Sequence, residues 1–200
     1  MAISTGMVHG ALLVAYEFDQ ASDAPSARNN NISAGDFYLN TPFVEDVPFA
    51  PGVRRSAGWT GSPTIDLDEY WGFTITVQPQ TVIDLTSLNF SLRSNVNGPR
   101  SWAVRTSLDN FGADLASGAI SQTLTPFAIG LTDSNLIGTI EFRLYEYNAV
   151  IGDSGGSSTR SSLGGIELQG NVTHIPEPSV FALILAGVVA IRRWNMNRCG

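Results

Sequence analysis

The dominant periodicity of this chain is two, and that constrains the fold more than any motif. In Tyr70–Val77 the residues Trp71, Phe73, Ile75 and Val77 fall on one side, with Tyr70, Gly72, Thr74 and Thr76 on the other. Thr139–Tyr147 repeats the pattern, placing Ile140, Phe142 and Leu144 inward against Glu141, Arg143 and Tyr145 outward. Alternation of this kind buries one face of an extended strand. Further strands are expected over Leu12–Phe18, Ser33–Leu39, Val53–Thr60, Leu85–Leu92, Ser101–Ser107 and Gly164–Val172. Clusters rich in Gly, Asn, Ser and Pro, such as Asn95-Val96-Asn97-Gly98-Pro99, separate them. A sustained 3.6-residue period is absent, although Leu108, Phe111 and Leu115 would suit a short helical turn near 107–116. The expected fold is all-β: a two-sheet antiparallel β-sandwich with jelly-roll winding, its first and last strands side by side.

Two hundred residues suit one such domain plus a tail. The boundaries fall at residues 12–173 for the sandwich, with 1–11 and 174–200 as flanks. Net charge is −7, so nucleic acid is not an expected partner. All eleven basic residues are Arg, which excludes Schiff-base lysine chemistry and a P-loop. The only cysteine, Cys199, lies in the C-terminal flank, and the two histidines, His9 and His174, lie at the domain's edges. A cysteine nucleophile, a Ser-His-Asp triad and a His-ligated metal inside the sandwich are thereby excluded. Residues 1–11 read as the remnant of a signal peptide, or a truncated one: Val8 and Gly10 supply the small pair before a cut, but no basic residue precedes Arg28.

The C-terminal flank is organised differently. Pro176-Glu177-Pro178 leads into an apolar run, Val180–Ile191, that Arg192 and Arg193 terminate. As a helix those twelve residues would span about 18 Å, short of a hydrocarbon core of about 30 Å. Val180, Phe181, Leu183, Ile184, Leu185, Val188, Val189 and Ile191 together contribute only about −4 kcal/mol on an insertion scale. The run carries no polar stripe for packing on a domain surface. A single short transmembrane helix, marginal as an anchor, with its arginines snorkelling to the cytoplasmic side, is the expectation.

The tripeptide, apolar span and arginine pair, in that order, resemble the PEP-CTERM sorting signal of exopolysaccharide-producing Gram-negative bacteria. The resemblance covers about 25 residues. It implies that an exosortase is a partner, that Pro176, Glu177, Pro178, Arg192 and Arg193 form the recognised signal, and that the protein is held transiently in the inner membrane. Delivery to the outer surface or extracellular matrix would follow. The apolar span is shorter than that family shows, and seven residues follow the arginine pair. The ordered phrases LVAYEFD, YWGFTITVQP, DLTSLNFSLR, IEFRLYEYNA and GGIELQGNV look loosely like the jelly-roll ectodomain such proteins carry, similar to carbohydrate-binding modules and laminin-G-like sandwiches. No catalytic motif accompanies that second resemblance.

Within the sandwich, Glu17, Asp19 and Glu167 would converge if the terminal strands pair, and could supply oxygen ligands for a structural Ca²⁺. Asp66, Asp68 and Glu69 are a second acidic group with that potential. Otherwise no cofactor is expected. Trp71 and Trp102 lie on apolar faces and read as core. Arg143, Tyr145 and Tyr147 share the opposite face and read as an exposed ligand surface. The expected function is that of an exported, non-enzymatic surface or exopolysaccharide-matrix protein. The alternative is a carbohydrate-binding module recognising a polysaccharide; a glycoside hydrolase ranks third, since the required pair of carboxylates is not legible.

Overall fold

A computed structural model describes residues 10–18, 22–40, 45–50, 52–150 and 159–176. Among them are thirteen strands and one 3₁₀ turn, Ser107–Asp109. In chain order the strands are β1 (Ala11–Tyr16), β2 (Ala27–Arg28), β3 (Ile32–Ala34), β4 (Tyr38–Asn40), β5 (Glu45–Ala50), β6 (Val53–Ala57) and β7 (Tyr70–Val77). They continue with β8 (Thr81–Ser94), β9 (Ser101–Thr106), β10 (Ala116–Ala119), β11 (Thr125–Gly130), β12 (Thr139–Tyr147) and β13 (Arg160–His174).

Every strand pairing is antiparallel. The first sheet runs β11-β8-β13-β1-β2, and the second β10-β9-β12-β7-β3. In the first, β13 is long enough that two strands share one of its edges: β6 along Arg160–Gly164 and β1 along Ile166–Gly170, while β5 extends the sheet beyond β6. In the second, β3 and β4 both pair with β7. From β7 to β9, and again from β11 to β13, the chain changes sheet at each step, and β1 lies beside β13. The result is the two-sheet antiparallel sandwich expected, with jelly-roll-like winding.

The two inner faces meet in one core. Leu88, Phe90, Leu92, Leu163, Ile166 and Leu168 come from the first sheet; Trp71, Phe73, Ile75, Val104, Ile140, Phe142 and Leu144 come from the second. Phe73 and Phe142 stack at 5.0 Å across paired strands, and Phe37 stacks on Trp71 at 5.6 Å. Burial of apolar surface from both faces is what holds the layers together, at roughly 25 cal/mol per Å².

Several expectations need adjustment. The segment expected as one strand over Ser33–Leu39 is divided into β3 and β4. The helical turn expected near 107–116 shrinks to Ser107–Asp109, since Asn110 and Phe111 both adopt positive φ and end it. Strands β10 and β11 were not foreseen, because Ala116-Ser117-Gly118-Ala119 is apolar-poor and β11 alternates without large residues on both ends. The helix expected over Val180–Ile191 lies outside the described residues. No helix among the described residues is long and apolar enough to cross a membrane.

Candidate functional site

The outer face of the second sheet carries the surface expected from Arg143, Tyr145 and Tyr147. Its polar groups are spent on each other. Arg143 donates from Nε to Glu141 Oε1 at 2.6 Å, and the Tyr38 hydroxyl donates to the same oxygen at 2.6 Å. The Arg143 guanidinium lies 3.6 Å from the Phe111 ring centre and 4.2 Å from that of Tyr70, a double cation–π contact. Burial alone would raise the Glu141 carboxyl; the hydrogen bonds from Arg143 and Tyr38 outweigh it and hold it below its ordinary value. Burial and the Glu141 hydrogen bond push the Tyr38 phenol well above its usual value. Tyr145, expected on the surface, is instead fully buried beneath Arg105 and against Tyr70. Only Tyr147 and Arg143 keep partial exposure. The correction has a simple cause: the 3₁₀ turn and Phe111 fold back over the centre of this face, which alternation in β12 could not reveal. Arg105 is similarly engaged, with Asp114 at 2.6 Å and the Phe111 carbonyl at 3.1 Å.

Behind that face, Glu146 is buried in the core and accepts from Trp71 Nε1–H at 2.8 Å. Across the layers, Trp59 Nε1–H donates to Ser56 Oγ and Ser161 Oγ, whose hydroxyls are 2.8 Å apart. Burial pushes the Glu146 carboxyl up to about 7, against the opposing pull of the nearby Ser161 hydroxyl and the Trp71 N–H. The group is buried between the two sheets.

The outer face of the first sheet is built differently. Strand register places Ala128, Asn89, Glu167 and Ala15 in one row across β11, β8, β13 and β1, and Pro126, Ser91 and Gly164 in the next. Directly opposed residues point to the same side of a sheet. These are the core-distal positions, because Phe90, Leu92, Leu163 and Leu168 between them are buried. The bulge between Gly164 and Glu167 and the small side chains of Ser91, Gly164, Gly165 and Ala128 leave a hollow of about 390 Å³. Glu17, Glu167, Asn89 and the edge of Phe127 line it. Glu17 and Glu167 thus border the same hollow, and no hydrogen bond or ion pair joins either to another described residue. Asp19 lies outside the described residues. No group of three or more potential metal ligands is found among the described residues. In the other acidic group, Asp66 and Asp68 are exposed, but Glu69 turns inward to Thr60, so the three carboxylates do not converge.

Two residues further along β8 and β13 lies a second cavity of about 320 Å³, lined by Arg55, Arg93, Asn95, Gln122, Arg160 and Ser162 among others. Arg55, Ser162 and Arg93 form one cross-strand row over β6, β13 and β8. Sequence analysis missed this cavity. Its three arginines come from three strands distant in sequence, and only the register of β13 brings them together. Both volumes sit at the lower end of the range for small-molecule sites.

No family model matches this sequence, and no curated protein matches it. Among solved structures, the chain is similar to a CBM4 protein, with TM-score 0.49 and 9% identity over 68% of this chain and 86% of that one. It is also similar to a family 29 carbohydrate-binding module in complex with mannohexaose, with TM-score 0.39 and 13% identity over 82% and 95% of the two chains. The carbohydrate-binding module CBM36 in complex with calcium and xylotriose gives TM-score 0.39 and 13% identity over 69% and 98%. A family two carbohydrate esterase from Clostridium thermocellum matches over 34% of its own length.

Proposed function

We propose that this chain is a non-catalytic polysaccharide-binding sandwich whose ligand lies along the outer face of the first sheet. The observation that carries the reading is the pair of adjacent hollows on the β8–β13 ladder, lined by carboxylate, amide and guanidinium groups that face solvent. Sugar hydroxyls need such groups, and the neighbouring exposed Pro126 offers apolar surface to a ring. The two hollows are separated by roughly 7–13 Å along the strands, a length suited to consecutive units of a chain rather than to a lone small molecule. The neighbours in complex with oligosaccharides agree with this reading but do not carry it. Glu17 and Glu167 would be the donors were calcium to accompany the sugar. A glycan array probed with the full chain, beside its Ala128→Trp variant, tests the proposal. Ala128 is exposed and faces the larger hollow, so the indole should plug it and abolish binding without loss of fold. Absence of any glycan signal from the parent chain overturns the reading.

The C-terminal flank carries the second part of the proposal, that an exosortase sorts this module to the cell surface or matrix through Pro176–Pro178. Two features support it: the order of tripeptide, apolar span and arginines, and the end of β13 at His174, which leaves Ile175 and Pro176, the first residue of the signal, exposed. Glu177 and the remaining signal residues lie outside the described residues. Glu177→Ala should leave the intact C-terminus in cells that process the parent chain, as read by mass spectrometry. Equal processing of both forms sinks the sorting reading.

A further inference from the structure

We infer that the polysaccharide bound here carries free amines, and that the hollow across β11, β8, β13 and β1 receives a protonated amino group of one sugar unit. This rests on the reading of the first sheet's outer face as a glycan surface. Hydrogen bonds beside the hollow determine which side-chain atoms remain for a ligand. The Ser87 hydroxyl donates to Gln169 Oε1 at 3.2 Å, so its oxygen is left to accept, and Asn89 Nδ2 donates to it at 3.4 Å. The Asn89 amide is thereby oriented, and its carbonyl Oδ1 is the end left over. Glu167 stands directly across from Asn89 on β13, with the two Cβ atoms about 5 Å apart. Glu17 follows the end of β1 on the other side of β13 and lines the same hollow. Both glutamates are exposed. None of the described arginines lines the hollow, and the Tyr16 hydroxyl at its edge is spent on the Gly35 carbonyl at 2.6 Å.

Glu17, Glu167 and Asn89 Oδ1 are thus acceptors drawn from three separate strands, and two of them are charged. Such a set selects among the substituents of a sugar ring. A hydroxyl brings one donor and leaves both carboxylate charges uncompensated. An N-acetyl group also brings one N–H, together with a carbonyl that would meet mainly acceptors. A protonated amine brings three N–H donors and a positive charge, and its hydrogen bonds to carboxylates are the stronger, charge-assisted kind. Calcium suits carboxylates too, but it takes about six to eight oxygens. No group of three or more acidic, imidazole or thiol ligands occurs among the described residues to supply them. The charge of the whole chain acts in the same direction: at −7, with no lysine, it draws a cationic polymer in and turns a polyanion away. Exposed Pro126 borders the hollow and offers its apolar surface to the ring that carries the amine. The ligand class this describes is an amino-sugar polysaccharide in which at least some units lack the N-acetyl group.

The experiment uses the full chain and two probes of the same backbone and length, a glucosamine oligomer and its fully N-acetylated form. Titration calorimetry is run at low salt in mildly acidic buffer, where a sugar amine holds its proton. The free-amine oligomer should bind at least about tenfold more tightly than the acetylated one, since a charge-assisted pair is lost with the charge. Glu167→Gln and Glu17→Gln should each remove about tenfold of that affinity and flatten its salt dependence. Both positions are exposed, so thermal melts of the variants should match the parent. Asp68→Asn, an equal charge change on an exposed loop, should leave affinity unchanged. Equal binding of the two oligomers overturns the amine assignment while leaving a glycan surface standing. Binding of neither overturns it as well; a glycan array that is positive for other polymers then spares the surface, and a silent array removes both. Loss of binding on adding a chelator would assign the hollow to a bridging metal and overturn the amine. A weakening by Asp68→Asn as large as that by Glu167→Gln would reduce the effect to net charge and overturn the site.

Discussion

The two outer faces of this sandwich have similar side-chain chemistry and opposite states of satisfaction. On the second sheet, Tyr38, Glu141, Arg143, Tyr70 and Phe111 form a closed set in which the hydrogen bonds and ring faces meet one another. On the first sheet, Glu17, Glu167, Arg55 and Arg93 face hollows without partners among the described residues. Polar residues on a strand face therefore say little about binding by themselves. What separates a structural face from a receptive one is whether the groups already hold each other.

That contrast can be broken at several points. The largest effect is expected beneath the second sheet, at Glu146. Its carboxyl titrates near 7 when folded and near the usual value of about 4.3 when unfolded. The folded state then holds the extra proton between those values, so stability falls as pH rises from about 4.5 to 7 and levels off above. Glu146→Gln should remove that slope and raise stability at pH 7.5 by on the order of 2–3 kcal/mol, with no gain at pH 4. Thermal melts across the pH range read it directly. A parallel fall in both proteins would mean Glu146 ionises freely.

Next comes Arg143→Ala, which strips Glu141 of its ion pair and uncovers Phe111 and Tyr70. With both partners about one-fifth exposed, a loss of about 2 kcal/mol in chemical denaturation is expected. The matching change on the first sheet, Arg93→Ala, should cost less than about 0.5 kcal/mol. Equal losses would abolish the distinction drawn between the faces. Gly72→Ala sharpens it: an added Cβ would come within 2.6 Å of the Tyr38 ring, so the ring must shift off Glu141, at about 1–2 kcal/mol. The smallest effect is Ala128→Trp, near zero on stability yet decisive for binding; a large loss of stability would show that the hollow is part of the fold's support.

Much of the sandwich was legible because its strands alternate strongly. Tyr70–Val77 and Thr139–Tyr147 appear with the boundaries that period two predicts. Where the sheet edge shortens or bulges, the pattern fades: β10 and β11 lack a continuous apolar face, and β13 is irregular at Gly164 and Gln169. The site was legible only in fragments. Glu17 and Glu167 follow from terminal strands that pair, a local enough inference. Tyr145 misled because alternation assigns a face but cannot see a loop lying on top of it. The arginine cavity needs the register of three strands at once, and single-strand patterns carry none of that information. The reading of the C-terminal flank rests on order and composition alone, and the residues after Pro176 lie outside those described.

Strand β13 has one more consequence. It is gripped along nearly its whole length by β8, from Ser161 to His174, and by β6 and β1 along the other edge. The chain leaves the domain from its end, at Ile175, whose N–H is held by the Gln80 carbonyl at 2.7 Å. Tension on a tether attached there would pull β13 parallel to its own axis. Its flanking ladders would then be sheared as a set instead of unzipped one bond at a time, so the module is mechanically strongest in the direction from which a surface attachment would tug.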